Sequence, residues 1–322
     1  MPTGALSLLE KTMREPLREI DKLADQRRAR AARLMNRRKT KTAYLFLLPY
    51  LALLVMFGVF PVCYAIGLSF FDTISGAFAG LSNYHLALDD FRLGQSLLNV
   101  GTYVFMWVSL MVVGVVVLAS IIDVMPRWLG TTVRTVYFLP GAVTSAAIVV
   151  LWLFILDPQV SPFSFVFSLV GWDNRFQVID SIGLAGVFTL MAFFAYAGGW
   201  IVVMHGALTA LPGEVMEAAR IDGCRPVGLA WRIKIPMIWR TVALMAVLSL
   251  ANGLQLFVEP QLLGLAGPQL ARNDWSLNQL AYQYAFALGD FGVSAALSTM
   301  ILMLSVSIAL WIVLATKFYR ID

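Results

Sequence analysis

Six long apolar runs of this 322-residue chain contain no Asp, Glu, Lys or Arg. The hydrocarbon core of a bilayer is about 30 Å thick and takes roughly 20 apolar residues per helix, so each run is long enough to cross it. With 59% hydrophobic and 13% charged residues, the chain has too little polar surface for a soluble domain of this size. We therefore predict an all-α polytopic membrane protein with six transmembrane helices. The predicted spans are residues 43–71, 96–122, 135–156, 182–211, 241–258 and 293–316.

Basic residues are distributed unequally between the segments that flank these runs. With the N-terminus in the cytoplasm, 21 of the 24 Lys and Arg residues fall on the inner side, leaving only Arg92, Arg175 and Arg272 outside. Because cytoplasmic loops carry an excess of Lys and Arg, we predict that both termini are cytoplasmic. Twelve of the inner cations precede Thr42 and define a basic cytoplasmic N-terminal segment, residues 1–42. We expect this segment to lie on anionic membrane lipid rather than to bind nucleic acid, and to contain no cleavable signal peptide.

The polar stretch between the fourth and fifth runs has the pattern of two short helices joined at a glycine. Glu217-Ala218-Ala219 favours a helix, and Gly223 with Pro226 breaks it. We expect a second short helix from about Val227 to Lys234, ended by Pro236. A hairpin of this kind can dock into a groove on another protein.

This stretch resembles the EAA loop of ABC-importer permeases, in the binding-protein-dependent carbohydrate group of maltose and glycerol-phosphate type. The pattern of that loop is E-A-A, three residues, G, nine residues and I-x-L-P, with Asp before the glycine in carbohydrate importers. Two further segments, Gly80-Leu81-Ser82-Asn83-Tyr84 and Phe138-Leu139-Pro140, are similar to other elements of the same family. The residues at the EAA positions are Glu217, Ala218, Ala219, Asp222, Gly223, Ile233 and Pro236.

The resemblance implies an architecture and a set of partners. It implies a six-helix ABC permease domain over residues 43–322 with a cytoplasmic EAA loop at 212–238, in the multi-pass cytoplasmic membrane of a bacterium or archaeon. A second homologous permease subunit, two ATPase subunits and an extracytoplasmic solute-binding protein would complete the assembly. In that assembly Glu217 would pair with a cation of an ATPase subunit. Three apolar side chains would fill its cleft, those of Val227, Leu229 and Trp231.

The chain itself contains no motif that would bind ATP in the usual way. A phosphate-binding P-loop requires Lys after Gly, and no lysine here follows a glycine. We therefore expect no cofactor in this chain and no enzymatic activity, with ATP and Mg²⁺ bound by the partner ATPase. The predicted spans also contain no acid or base apart from His205, so a proton relay is not indicated, and a neutral cargo such as a sugar is favoured. His85 has no second ligand, so no metal site is predicted.

Polar and aromatic side chains inside the runs are candidates for the substrate path. Ser249, Asn252 and Gln255 recur at i, i+3 and i+6, so we expect them near one face of the fifth span. Tyr196 and Trp200, four residues apart in the fourth span, are placed to stack on a sugar ring. The same groups can instead bond neighbouring helices, and the two readings stay open. With the weaker Ser145 of the third run, the set is Tyr196, Trp200, Ser249, Asn252, Gln255 and Ser145.

Two other functions stay open at this stage. The first is an ABC-importer permease for a non-sugar solute, such as an amino acid, a peptide or a phosphate ester. The second is a membrane protein that does not transport and uses the hairpin only to dock a partner. An intramembrane enzyme is disfavoured because the sequence offers no convincing catalytic pair.

Overall fold

A computed structural model describes residues 44–73, 75–267 and 269–316. The predicted basic segment 1–42 lies outside the described residues. Within them the chain is helical, and its only extended pairing is an isolated bridge between Phe71 and Phe78. The chain divides after Tyr64 into two compact units.

Helix α1, Tyr44–Leu68, is the first of the helices long and apolar enough to cross a membrane. It contains a π-helical turn, Val55–Val59, in which the Phe60 N–H donates to the Val55 carbonyl. Pro61 follows this turn directly. Since proline has no N–H and its ring crowds the carbonyl four residues earlier, the widened turn accommodates it without ending the helix.

The second unit, from Ala65 onward, contains the remaining helices. Two of the connections are themselves helical, the 3₁₀ turn Leu139–Ala142 and the π-helical turn Ala230–Lys234. In chain order the α-helices are α2 Ser82–Leu88, α3 Phe91–Val124, α4 Arg127–Phe138, α5 Ser145–Ile155, α6 Ser164–Val170, α7 Arg175–Ile182, α8 Leu184–Thr209, α9 Gly213–Ile221, α10 Pro226–Leu229, α11 Ile235–Met237, α12 Trp239–Leu254, α13 Val258–Ala266, α14 Leu277–Phe286 and α15 Phe291–Thr316.

Five described stretches are long and apolar enough to cross a membrane, and a bent pair of helices is the sixth candidate. The all-α polytopic fold is therefore confirmed. The third predicted span, 135–156, is not one straight helix, because Arg127–Ala142 and Ser145–Ile155 meet at 106°. Pro140 and Gly141 disfavour a continuous helix, and the backbone is extended at Val143. The five stretches are Tyr44–Leu68, Phe91–Val124, Leu184–Thr209, Trp239–Ala266 and Phe291–Leu314.

Helices α3 and α8 form the centre of the second unit. Met111 of α3 and Phe188, Ile201 and Met204 of α8 are fully buried. At Gly198 a Cβ atom would lie 1.9 Å from the Tyr137 carbonyl oxygen, so the backbones of α8 and α4 meet where only glycine fits. This contact holds the bent pair against the central helix.

Candidate functional site

Residues 212–238, called the coupling hairpin from here on, begin with helix α9 and turn back at Gly223. The φ of Gly223 is +78°, a left-handed conformation in which other residues are strained. The Gly223 N–H donates to the Arg220 carbonyl and the Cys224 N–H to the Ala219 carbonyl, both at 3.0 Å. These two bonds are the Schellman arrangement that ends a helix at a glycine. The first arm and the corner of the hairpin thus follow from its sequence.

The second arm of the hairpin is longer than the sequence predicts. It runs from Pro226 through the π-helical turn Ala230–Lys234 into α11, and it ends at Ile238 rather than before Pro236. The Ile235 N–H donates to the Ala230 carbonyl, five residues back. This wide turn shifts the bonding register just before the proline, whose missing N–H then interrupts nothing.

The hairpin exposes three carboxylates, those of Glu214, Glu217 and Asp222, and several apolar side chains. Glu217 is exposed on α9. Ile221 is 86% exposed, Val227 71% and Trp231 58%. Leu229, in contrast, is buried within this chain, so the expectation that it fills a partner's cleft is wrong. Ile221 takes its place on the exposed surface, because it points outward at the end of α9.

Two polar contacts attach the C-terminal parts of α3 and α8 to their surroundings. The Lys234 ammonium of the hairpin forms an ion pair with the carboxylate of Asp123 at the end of α3, and their side chains are 16% and 10% exposed. The Nη1 of Arg134 in α4 donates to Nδ1 of His205 in α8 at 3.0 Å, because a guanidinium has no acceptor. Among the described residues, the His205 side chain forms this hydrogen bond with Arg134. Nothing in the sequence indicated Asp123, which is 111 residues from its partner.

The candidate substrate-path residues do not occupy one environment. Ser249 is 1% exposed and its hydroxyl has no partner among the described residues, whereas Asn252 is exposed. Gln255 lies beyond the end of α12 at Leu254, so it is not on the helical face that the spacing predicts. Ser145 is half-buried at the first residue of α5, directly after the bend.

Trp107 of α3 joins two of these candidates. Its Nε1 donates to the Ser249 carbonyl at 3.0 Å, and its ring meets that of Tyr196 edge to face with centroids 6.0 Å apart. Tyr196 is 49% exposed, while Trp200 packs partly buried against the core. A Cβ on Gly253 would lie 3.0 Å from the Trp107 ring, so α12 packs tightly there. Sequence reasoning missed Trp107, since an aromatic residue in an apolar run carries no distinguishing signal.

A carboxyl group also lies in the stretch Trp239–Ala266, which corresponds to the fifth predicted span. That stretch extends to Ala266, past the predicted end at residue 258, and so includes Glu259. Glu259 is half-buried in the first turn of α13. The predicted run 241–258 itself holds no acid or base, but the helical stretch extends beyond it and so includes this carboxyl. The cause is the break after Leu254, beyond which the chain continues as apolar helix.

At the opposite end of α3, the ion pair of Asp90 with Arg92 is hydrogen-bonded to α14. Asp90 pairs with Arg92 at 2.7 Å and accepts a hydrogen bond from the Tyr284 hydroxyl at 2.8 Å. Arg92 also donates to the Gln283 side chain at 3.0 Å. The hydrogen bonds that Asp90 accepts lower its pKa to about 2, and those from Arg92 have the largest effect.

Comparisons with known proteins agree with this architecture. The family described as binding-protein-dependent transport system inner membrane component matches residues 91–320. The chain is 28% identical over 280 residues to the alpha-glucoside transport system permease protein AglF of Rhizobium meliloti, covering 83% of this chain and 80% of that protein. It is 26% identical over 285 residues to the trehalose/maltose transport system permease protein MalF of Thermococcus litoralis, covering 84% and 92%.

A solved structure has the same fold. A chain of a bacterial ABC transporter involved in the import of the acidic polysaccharide alginate superposes with a TM-score of 0.73 at 17% identity, covering 88% of this chain and 97% of that one. The relatives are transport permease proteins, which confirms the predicted resemblance and the prediction of a transport subunit rather than an enzyme. The chain belongs to the family of binding-protein-dependent transport system inner membrane components.

Proposed function

We propose that this chain is a permease subunit of an ATP-driven importer for a sugar or sugar derivative, coupled to its ATPases through the hairpin 212–238. The observation that carries the proposal is the exposed surface of the hairpin. Glu217 stands free for an ion pair, and Ile221, Val227 and Trp231 offer apolar area that no residue of the same unit covers. Such a surface suits a cleft on another protein.

The partners follow from what the chain lacks and what it exposes. Without a P-loop, it depends on two ATPase subunits to bind ATP and Mg²⁺. A second homologous permease subunit would complete the path, and an extracytoplasmic solute-binding protein would deliver the cargo. Closure of the ATPases would move the hairpins, and the spans would then open the path alternately to the two sides.

The positions of the ends of helices α3 and α8 support the proposed orientation of the chain in the membrane. The two helices run in the same direction, since Met106 of α3 lies beside Gly186 of α8 and Gly114 beside Phe193, and each is long and apolar enough to cross a membrane. The hairpin follows the end of α8 and is tied to the end of α3 through Asp123, so it lies at one end of both helices. The excess of Lys and Arg around that end favours the cytoplasm of a bacterial or archaeal cell.

The sugar class is supported by relatives and by the path residues. Relatives include transporters named for alpha-glucosides, for trehalose and maltose, and for multiple sugars. Tyr196 offers an aromatic face for a sugar ring, and the free hydroxyl of Ser249 and the amide of Asn252 offer hydrogen bonds. Another relative is named for sn-glycerol-3-phosphate, so a phosphate ester is the alternative cargo.

The test is reconstitution of the complete complex in liposomes, with labelled sugar uptake and ATP hydrolysis measured together. We expect Glu217→Lys to abolish most ATP-driven uptake, because breaking a buried charge pair costs about 2–5 kcal/mol. Glu214→Lys is the matched control, since Glu214 is an exposed acid on the same helix outside the family pattern. Near-normal uptake by a correctly inserted Glu217→Lys protein would refute the docking role. ATPase activity that no loaded binding protein stimulates would refute transport.

A further inference from the structure

A cleft of 660 Å³ opens between α7, the N-terminal half of α3, the first turn of α8 and the loop after α13. Its volume lies within the range of about 300–1,000 Å³ that is typical of small-molecule sites. It belongs neither to the coupling hairpin nor to the path around Trp107. Its polar and aromatic lining comes from three elements of the second unit. The lining residues that matter here are Asn99, Thr102, Phe176, Gln177, Asp180 and Gln269.

The cleft lies at the opposite end of α3 from the hairpin. Asn99 lines the cleft, and Asp123 holds Lys234 of the hairpin. The two positions on this continuous helix are 24 residues apart, about 36 Å at 1.5 Å per residue. That separation exceeds the hydrocarbon thickness of about 30 Å, so the cleft and the hairpin face opposite sides of the membrane.

Helix α7 presents an aromatic face beside a carboxylate. Phe176 and Asp180 are four residues apart, so they share one side of the helix. Phe176 is 48% exposed, and Asp180 is exposed with no ion pair or hydrogen bond to any described residue. Buried Val178 anchors the other side of α7, so the pair is held in place.

The remaining polar groups supply both donors and acceptors. The Gln177 side-chain oxygen accepts from the Asp173 N–H at 2.7 Å, which leaves its amide N–H groups to donate into the cleft. Thr102 donates its hydroxyl proton to the Leu98 carbonyl and keeps its acceptor capacity. Asn99 is fixed by a bond from its amide to the Trp275 carbonyl at 3.1 Å.

We propose that this cleft is a binding site for a neutral saccharide, separate from the path inside the membrane. Each hydroxyl of a sugar both donates and accepts, as this lining does, and the apolar face of a pyranose ring stacks on an aromatic side chain such as Phe176. The Asp180 carboxylate disfavours anions. That the bound saccharide is also the cargo arriving from outside rests on the proposed function.

Saccharide binding is tested on the full chain in lipid nanodiscs by saturation-transfer NMR with glucose, maltose and trehalose in turn. No ATPase or binding protein is present, so the result is independent of transport. We expect saturation transfer from the wild-type chain to at least one of these sugars. Phe176→Ala and Asp180→Asn should each weaken the affinity about tenfold, from lost stacking and a lost charged acceptor.

Phe165→Ala is the control, because Phe165 is 69% exposed on α6 and does not line the cleft. Binding unchanged in the two cleft variants, or no binding of any of the three sugars, would overturn the proposal. Loss of binding-protein association in Phe176→Ala without sugar binding would assign the cleft to a protein partner instead. Sugar binding with no uptake by the reconstituted complex would leave the cleft assigned and refute the proposed function.

Discussion

Gly198 and Gly199 are neighbours in α8, yet only one of them is constrained by packing. A Cβ on Gly198 would lie 1.9 Å from the Tyr137 carbonyl oxygen and 2.8 Å from the Phe138 Cα, both of them backbone atoms. A Cβ on Gly199 would meet nothing within 4 Å. The sequence indicates small residues here, but it does not show which of them faces another helix.

The first prediction concerns this pair. Gly198→Ala should lower the free energy of unfolding by about 2 kcal/mol or more, because the backbones of α4 and α8 must separate. Gly199→Ala should be neutral or stabilise by up to about 1 kcal/mol, since alanine is the better helix former. Thermal unfolding of the two variants in detergent compares them directly. Equal melting temperatures would show that α4 does not pack on α8 through Gly198.

Among the elements, local sequence predicted the first arm of the hairpin and missed features that depend on distant contacts. Glycine in the left-handed conformation at 223 is a property of the residue type, so the corner could be predicted. The pairing of Lys234 with Asp123 depends on where α3 ends in space, and the burial of Leu229 depends on its neighbours in the fold, neither of which a local pattern reports. The bend of 106° in the third predicted span was not predicted, because its apolar composition suggested one helix.

The second prediction concerns the link between the hairpin and α3. Lys234→Ala leaves the Asp123 carboxylate, 10% exposed, without its partner. We expect a loss of about 2–3 kcal/mol in unfolding free energy, somewhat below the cost of breaking a fully buried pair. In the reconstituted complex, ATP hydrolysis should then yield less uptake per ATP, because the hairpin moves with less effect on the span.

Two further variants separate this link from a general loss of positive charge. Arg232→Ala removes an exposed cation from the same arm and should change neither stability nor the ratio of uptake to hydrolysis. The exchange of both charges, Asp123→Lys with Lys234→Asp, should restore much of what the single change loses. If Arg232→Ala is as harmful as Lys234→Ala, the ion pair has no specific role.

Across the whole molecule, composition was enough to predict the class of protein and the approximate number of spans. Only the structure shows where polar groups lie along the spans. The family resemblance likewise identified the hairpin from the sequence alone. Glu259 shows the limit of that reasoning, since its presence in a helical stretch depends on α13 continuing the path of α12. Trp107 shows it too, because only packing distinguishes it from any other apolar residue.

The last prediction concerns acid stability and the polar cluster at the end of α3 opposite the hairpin. Asp90, whose side chain is 4% exposed, ties the segment before α3 to Arg92 and to Tyr284 of α14. Its pKa falls from 3.8 to about 2 in the folded protein, with hydrogen bonds from Arg92 as the main cause. A carboxyl with a lowered pKa stabilises the fold above its unfolded pKa and loses that contribution as the pH falls through the folded value.

Asp90→Asn should therefore lower stability by about 1–2 kcal/mol at neutral pH, and the difference from wild type should persist down to about pH 5. Between about pH 4 and pH 2 the difference should shrink, as the unfolded and then the folded carboxyl become protonated. Asp89→Asn, which changes the exposed neighbouring acid, is the control and should behave as wild type throughout. Thermal unfolding of the three proteins at pH 7, 5, 4 and 3 measures the trend. A wild-type advantage over Asp90→Asn that is undiminished at pH 3 would show that the cluster acts through packing rather than through the charge of Asp90.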